Sequence, residues 1–429
     1  MHSFRYKDGV LHCENVSLAE VASEAGTPCY VYSAETIVDH YRRLDAGLSA
    51  INHVICYAVK ANSNIAVLNL LAKEGAGFDI VSGGELFRVI KAGGNPSLCT
   101  FAGVGKTEDE IRYALMNQIL GFNVESESEL RTINRVAREM NVRAPVALRV
   151  NPDVEASTHK YISTGKSENK FGIDFNRILE AYEEAAAMSN VRIRGLQMHI
   201  GSQITTVSPF EEAVRKVAPL ALKLQALYGI EYLSIGGGIG IIYDSAFVSG
   251  DGSWWATENE DTLTIERYAE AVVPILEELD LRILFEPGRY MVGNAGVLLT
   301  KTLYEKRTPT KTFMITDAGM NDLIRPALYE GFHEIVPVKQ PTTDETEVMD
   351  LVGPICESGD FFAQGREVPK VGEGEVLALM SAGAYGFTMA SNYNSRPMAA
   401  EVLVQGDKAS VIRARQTLED LIQGESIPE

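Results

Sequence analysis

From about residue 34 to residue 286 the chain alternates short apolar runs with amphipathic stretches, a pattern few folds accommodate over so long a span. The apolar runs are Val54–Val59, Gly77–Val81, Leu98–Ala102, Ile119–Val124, Pro145–Val150, Ile193–His199, Tyr232–Ile235 and Arg282–Glu286. Each has the length of a strand, and each of the first seven is followed by a stretch with helical periodicity. A leading helix near 34–50 completes the ring. Two helix starts carry the pattern of a capping box, Thr107 with Glu110 and Ser126 with Glu129. Eight strand–helix units over roughly 250 residues predict an α/β fold of the (β/α)8, TIM-like type. An open doubly wound sheet has the same periodicity and is the alternative.

Beyond residue 290 the texture changes. Strand-like runs such as KTFMI, EVLALM, AEVLV and ASVIRA are separated by Gly, Pro and acidic turns, which reads as an all-β domain. The N-terminal FRYKDGVLHCENVS is strand–turn–strand in character and is assigned to that domain. A chain of 429 residues is long enough for two domains. The expected division is a barrel over residues 34–284 and a β-barrel or β-sandwich domain built from 1–33 and 285–429, with a frayed polar tail after Glu419.

The formal charge of −19 speaks against nucleic acid and anionic membrane surfaces as partners, since both call for basic patches. MHSFRYKDGV lacks the apolar core of a secretory signal, and no run approaches a bilayer-spanning length, so a cytoplasmic location is expected. The five cysteines are widely spaced without a CxxC pair, which suits a reducing compartment. No metal site is expected, because the seven histidines form no HxxxH and none pairs with a cysteine at ligand spacing.

A barrel of this kind places its site at the carboxyl ends of its strands. The first strand ends in Lys60, the second in Asp79 with Ser82-Gly83-Gly84-Glu85, and the sixth in His199-Ile200-Gly201-Ser202. The seventh ends in Gly236-Gly237-Gly238-Ile239-Gly240 and the eighth in Glu286-Pro287-Gly288-Arg289. A lysine at the end of a buried strand is ordinarily a solvated cap, and a lone histidine there is ordinarily a satisfied core residue. Together on one rim with a glycine-rich loop they describe a task. The loop lets backbone N–H groups approach a phosphate. It is no dinucleotide fingerprint, because the G-x-G-x-x-G frame meets Ile241 or Tyr243 where its last glycine belongs. The apparent P-loops VGKT (104–107) and TGKS (164–167) fail as well, with Thr100 and Lys160 in place of the first glycine. A smaller phosphate-bearing cofactor fits. A lysine at the base of the pocket points to Schiff-base chemistry, hence to pyridoxal 5′-phosphate. That cofactor draws electrons from the substrate Cα only if its ring nitrogen stays protonated, a role for a carboxylate such as Glu286. His199 is placed to hold the ring flat, and Asp79 is either a tuning group or a local cap.

The motifs YAVKAN, GFDIVSGGEL, HIGSQ, GGGIG and EPGR, in that order, resemble the fold-type III pyridoxal phosphate-dependent decarboxylases, relatives of alanine racemase. Within them, NPDVEASTHKYISTGKSENKFGI, DAGMNDLIRPALY, VGPICESGD and SAGAYGFTMASNYNSRP resemble the diaminopimelate decarboxylase family, over roughly residues 5–415. The resemblance implies decarboxylation of meso-diaminopimelate to L-lysine. It also implies a β-domain that includes the N-terminal strand, and a head-to-tail homodimer whose active sites are completed across the interface. It further implies that Lys60 carries the cofactor, that His199 stacks on its ring and that Glu286 faces its nitrogen. Ser202 and Gly236, Gly237 and Gly238 would hold the phosphate, with Tyr385 closing over the cofactor. Arg289 would bind phosphate or a substrate carboxylate. Arg325, Tyr329 and Glu357 would contact the substrate's far end, with Tyr385 also against the substrate, and Cys356, which like Glu357 would enter from the other subunit, would donate a proton.

One departure stands out: after GGGIGI the family's short proline-containing loop is replaced by Ile242-Tyr243-Asp244 and an acidic segment with Trp254 and Trp255. The competing readings are a racemase, which wants an opposing tyrosine base where CESGD speaks against it, and a decarboxylase of the ornithine, lysine or carboxynorspermidine type. A non-catalytic binding relative is the third, and it would have lost Lys60, the phosphate loop or Cys356.

Overall fold

The eight apolar runs form parallel strands: β1 (His53–Ala58), β2 (Gly77–Ile80), β3 (Cys99–Phe101), β4 (Gly121–Val124), β5 (Ala144–Asn151), β6 (Val191–Met198), β7 (Tyr232–Ser234) and β8 (Arg282–Phe285). They pair in that order, and β8 returns to β1 through Ile283–His53, Leu284–Val54 and Phe285–Ile55. Closure excludes the open sheet, whose outermost strands would have no such partner. This computed structural model describes residues 2–154, 170–255, 262–343 and 345–429. The TGKS run, the centre of the NPDVEAST…FGI motif and the acidic residues 256–261 lie outside them.

The barrel is filled at one level by Val54, Cys56, Leu120, Ala147, Tyr232 and Leu284. The Tyr232 ring explains two glycines, Gly195 on the adjacent strand β6 and Gly121 on β4. A Cβ at Gly195 would stand 2.4 Å from its ring and one at Gly121 2.6 Å from its hydroxyl. Either methyl group would force the tyrosine out of the barrel. The surrounding helices turn one apolar face inward: helix Glu127–Glu139 buries Leu130, Ile133, Val136 and Ala137.

The Thr107–Glu110 capping box forms in both directions, whereas the Ser126–Glu129 box is only half made. Ser126 accepts from the Glu129 N–H, but the Glu129 carboxylate turns to the N–H of Glu125 (2.9 Å) and to Lys106 (2.7 Å). Lys106, the lysine of VGKT, is a strut. Its side chain is 1% exposed, and the ammonium donates also to the carbonyls of Gly103 and Asn123. All three donors are thereby spent inside the protein, which disposes of the P-loop reading in physical terms.

The chain divides into two units, one of residues 38–241 and 259–291, the other of 1–37, 242–258 and 292–429. In the second unit the long strand Gly296–Arg307 pairs antiparallel with Cys29–Ser33, Thr312–Thr316 and Val376–Leu379. The strand order is 361–369, 346–352, 312–316, 296–307, 29–33, 400–405 and 408–413, and a three-stranded meander, Phe4–Lys7, Val10–Cys13 and Val16–Ser17, adds its apolar side to the same core. Residues 242–258, which follow the barrel's glycine-rich loop in sequence, pack within this unit. Glu334 accepts the Phe247 N–H at 2.7 Å, and a Cβ at Gly250 would strike the His2 ring at 2.5 Å.

Candidate active site

At the carboxyl end of the barrel the strands turn from apolar to polar. Asp79, Thr100, Asn123, Gln197, Ser234 and Glu286 are all buried there, none more than 6% exposed. Lys60 lies two residues past β1, in a single 3-10 turn (Val59–Ala61), and its ammonium meets the Asp79 carboxylate at 2.8 Å. The lysine side chain is 40% exposed and the aspartate 2%, so the pair joins the mouth of the barrel to its interior.

Glu286 sits in a cage of donors. Ser234 Oγ (2.7 Å) and Asn123 Nδ2 (3.2 Å) donate to Oε1, and Gln197 Nε2 (3.0 Å) donates to Oε2. Burial pushes its pKa up to about 7, and the neighbouring Asp79 charge pushes the same way, while Ser234, Lys60 and Gln197 pull it down. Within this layer Asp79 Oδ1, Thr100 Oγ1, Asn123 Oδ1 and Gln197 Oε1 have no hydrogen-bond partner among the described residues, and neither has Nη2 of the adjacent buried Arg149. So much unmet capacity in a buried layer is costly unless a polar ligand meets it.

Gly237 donates its N–H to His199 Nδ1 at 3.1 Å, so the imidazole carries its proton on Nε2. Burial first, then the charges of Arg149 and Lys60, hold His199 well below its usual pKa, and the ring is neutral. The glycines are required by crowding: a Cβ on Gly237 would lie 2.0 Å from the Glu286 carbonyl oxygen. Of the three N–H groups expected at a phosphate, Gly236 donates to Ser234 Oγ (3.3 Å) and Gly237 to His199. No such bond is found for Gly238 among the described residues. Arg289, 7% exposed, donates to Ser202 Oγ at 3.2 Å, so these two share one edge of the site.

Lys60, Asp79, His199, Ser202, Gly236, Gly237, Gly238, Glu286 and Arg289 therefore meet in the barrel unit. Tyr385, Arg325, Tyr329, Cys356 and Glu357 belong to the other. Tyr385 has a left-handed backbone, φ +55°, in a loop where a Cβ on Gly383 would stand 1.9 Å from the Val292 carbonyl oxygen. A bulky residue at positive φ is a strained choice that packing must enforce. Cys356 and Glu357 are exposed on a turn clamped from beneath. Buried Asp360 accepts the N–H of Ile355 and of Met320, both at 2.6 Å, and Asn394 Oδ1 accepts the Cys356 N–H at 2.9 Å. Arg325 is buried, 6% exposed, with Nη1 2.7 Å from His333 Nε2.

Asn123, Gln197 and Ser234, like Asp360 and Asn394, are functional neighbours that the motif reading misses. The first three carry a readable signal, a polar residue in a short strand that is otherwise apolar.

A (β/α)8 barrel with a lysine just past β1, a glycine-rich turn after β7 and a caged carboxylate just past β8 defines a pyridoxal phosphate barrel enzyme of fold type III. Residues 34–293 match the family described as pyridoxal-dependent decarboxylase, pyridoxal binding domain. The chain is 48% identical, over 100% of its length and 99% of theirs, to a Vibrio cholerae diaminopimelate decarboxylase. The Helicobacter pylori diaminopimelate decarboxylase solved with L-lysine superposes with a TM-score of 0.88 at 40% identity, covering 95% of this chain and 98% of that one. The M. jannaschii enzyme, also solved with L-lysine, gives 0.90 at 38% identity over 99% and 98%. The chain belongs to the diaminopimelate decarboxylase family.

Proposed function

We propose that the protein decarboxylates meso-diaminopimelate to L-lysine and carbon dioxide with pyridoxal 5′-phosphate as cofactor. The observation that carries this reading is full-length relatedness to diaminopimelate decarboxylases, at 48% identity in the Vibrio cholerae case. The unmet polar layer around Asp79 and Glu286 fits a flat polar ring, so the cofactor and the residues agree. Lys60 would hold its aldehyde carbon, Glu286 its ring nitrogen, His199 its face, and Ser202 with Gly238 its phosphate. When bound, it supplies the electron sink that accepts the bond pair released with carbon dioxide.

The remaining work falls to the chain's own groups. Glu286, charged when a cationic ring nitrogen faces it, keeps the proton on that nitrogen. Neutral His199 adds no charge that would compete. Tyr385 closes the site, and exclusion of water keeps the departing carboxylate poorly solvated. Cys356 returns a proton to Cα. Arg325, with Tyr329 and Glu357, binds the far ammonium and carboxylate, a guanidinium matching the carboxylate in two-pronged geometry. Because Cys356 and Glu357 project from an exposed turn, a head-to-tail homodimer in which each turn completes the partner's site accounts for their position. Among the described residues no helix is long and apolar enough to cross a membrane, and no group of three or more His, Cys, Asp and Glu side chains could hold a metal. The working location is the cytoplasm.

The decisive assay is release of carbon dioxide from meso-diaminopimelate with ornithine and lysine as competitors. Preference for ornithine or lysine would replace this reading with a polyamine-type one. Cys356→Ala is expected to lower kcat about a hundredfold, within the range of a single general acid, with cofactor content unchanged. Parent-like turnover would remove the thiol from the mechanism.

A further inference from the structure

The loop after the glycine-rich turn has no part in the reading above, yet Tyr243 packs against Arg325 within one unit. The Arg325 guanidinium carbon lies 4.3 Å from the centroid of the Tyr243 ring. His333 holds the guanidinium from its edge, Nε2 standing 2.7 Å from Arg325 Nη1. His333 Nδ1 lies 2.8 Å from the Met380 carbonyl oxygen, which can only accept, so the proton sits on Nδ1 and Nε2 is the acceptor. The imidazole is fully buried and stands edge-on to Tyr243, ring centroids 5.4 Å apart. Gly331 leaves room beside the guanidinium, where a Cβ would lie 3.4 Å from Nη2.

A guanidinium is planar and carries its donors in a fixed fork. The tyrosine ring fixes that plane through a cation–π contact, and the imidazole fixes its rotation within the plane. An arginine held on both counts has lost its freedom before the ligand arrives, so a carboxylate binds it without that ordering cost. The tautomer matters too, since a protonated imidazole would set a second cation against the first.

We propose that Tyr243 and His333 are positioning residues for substrate selectivity, holding Arg325 in the orientation that receives the carboxylate at the far end of diaminopimelate. The proposal rests on the reading that Arg325 binds that carboxylate. Decarboxylation removes one of the substrate's two carboxylates, so the product L-lysine keeps the one Arg325 would hold, whereas cadaverine has neither. Tyr243→Leu should raise KM for meso-diaminopimelate about tenfold, with kcat held within about threefold. The ratio of inhibition constants, cadaverine over L-lysine, should fall by a similar factor. Tyr243→Phe, which keeps the ring face, should recover both to within about threefold of the parent. Visible absorbance of the bound cofactor reports folding in each variant. If Tyr243→Leu does not fold, His333→Gln provides the second test and should shift KM and the ratio in the same direction. Parent values of KM and ratio in these variants, or equal losses in kcat and cofactor content, overturn the proposal. Arg325→Gln is measured alongside. If it too leaves KM and ratio unchanged, the reading of Arg325 fails; if it alone shifts them, only the positioning role fails.

Discussion

Lys60→Arg is expected to fold, to take up pyridoxal phosphate without bonding to it, and to lose turnover by roughly a thousandfold or more, the loss expected when a covalent nucleophile is removed. Arginine is the informative replacement because of Asp79. That carboxylate is 2% exposed, pairs with Lys60 at 2.8 Å, and has a second oxygen without a partner among the described residues. A neutral side chain at position 60 would leave a buried charge uncompensated, and the damage would be confused with loss of chemistry. Arginine keeps the cation in place, yet its guanidinium stays protonated and cannot add to an aldehyde. Borohydride reduction should fix the cofactor onto Lys60 of the parent, identified by peptide mass, and onto nothing in the variant. A reduced adduct on a different lysine, or turnover within tenfold of the parent, would show that position 60 is not the attachment point.

What the sequence reveals of this site follows from what one dimension can encode. Strand–helix alternation marks where each strand ends, and a closed barrel puts all those ends on one rim. Lys60, His199, the glycine-rich turn and Glu286 are therefore legible as a group. Glu286's partners are less so. Asn123 in GFNV and Ser234 in YLS show only a polar residue in an apolar strand, the same mark Asp79 makes in GFDI. That they converge on one carboxylate depends on cross-strand register, which spacing does not supply. The half-made cap at Ser126 has a related cause: the pattern is present, but the Glu129 carboxylate goes to the N–H of Glu125 and to the buried Lys106 ammonium instead of the Ser126 N–H. Residues 242–258 follow β7 in the chain, so sequence order suggests a barrel loop. The partners that seat them in the second unit, Glu334 and His2 among them, lie more than eighty positions away and leave no local trace.

The second large effect is expected at Glu286. Glu286→Gln preserves the side chain's shape and its place among Asn123, Gln197 and Ser234, and removes only the ionisable oxygen. A glutamine cannot favour a protonated ring nitrogen, so kcat should fall by roughly two to three orders of magnitude, the cost of losing one electrostatic group aimed at developing charge. Cofactor content should hold, since Lys60 and the phosphate edge are untouched. The same substitution carries a signature in the cofactor-free protein. Burial and Asp79 raise the folded-state pKa of Glu286 from 4.5 to about 7, so the folded chain binds a proton there more tightly than the unfolded chain. Between pH 4.5 and 7 the parent therefore loses stability as pH rises, and above about 7 it bears the full cost of a buried carboxylate. The variant bears none of it. Denaturation of the cofactor-free pair should accordingly show the variant gaining on the parent as pH climbs from 5 to 8. A constant gap across that range would mean the carboxylate is already ionised when the site is empty of cofactor, and a kcat within fivefold would mean the ring nitrogen's proton is held by something other than Glu286.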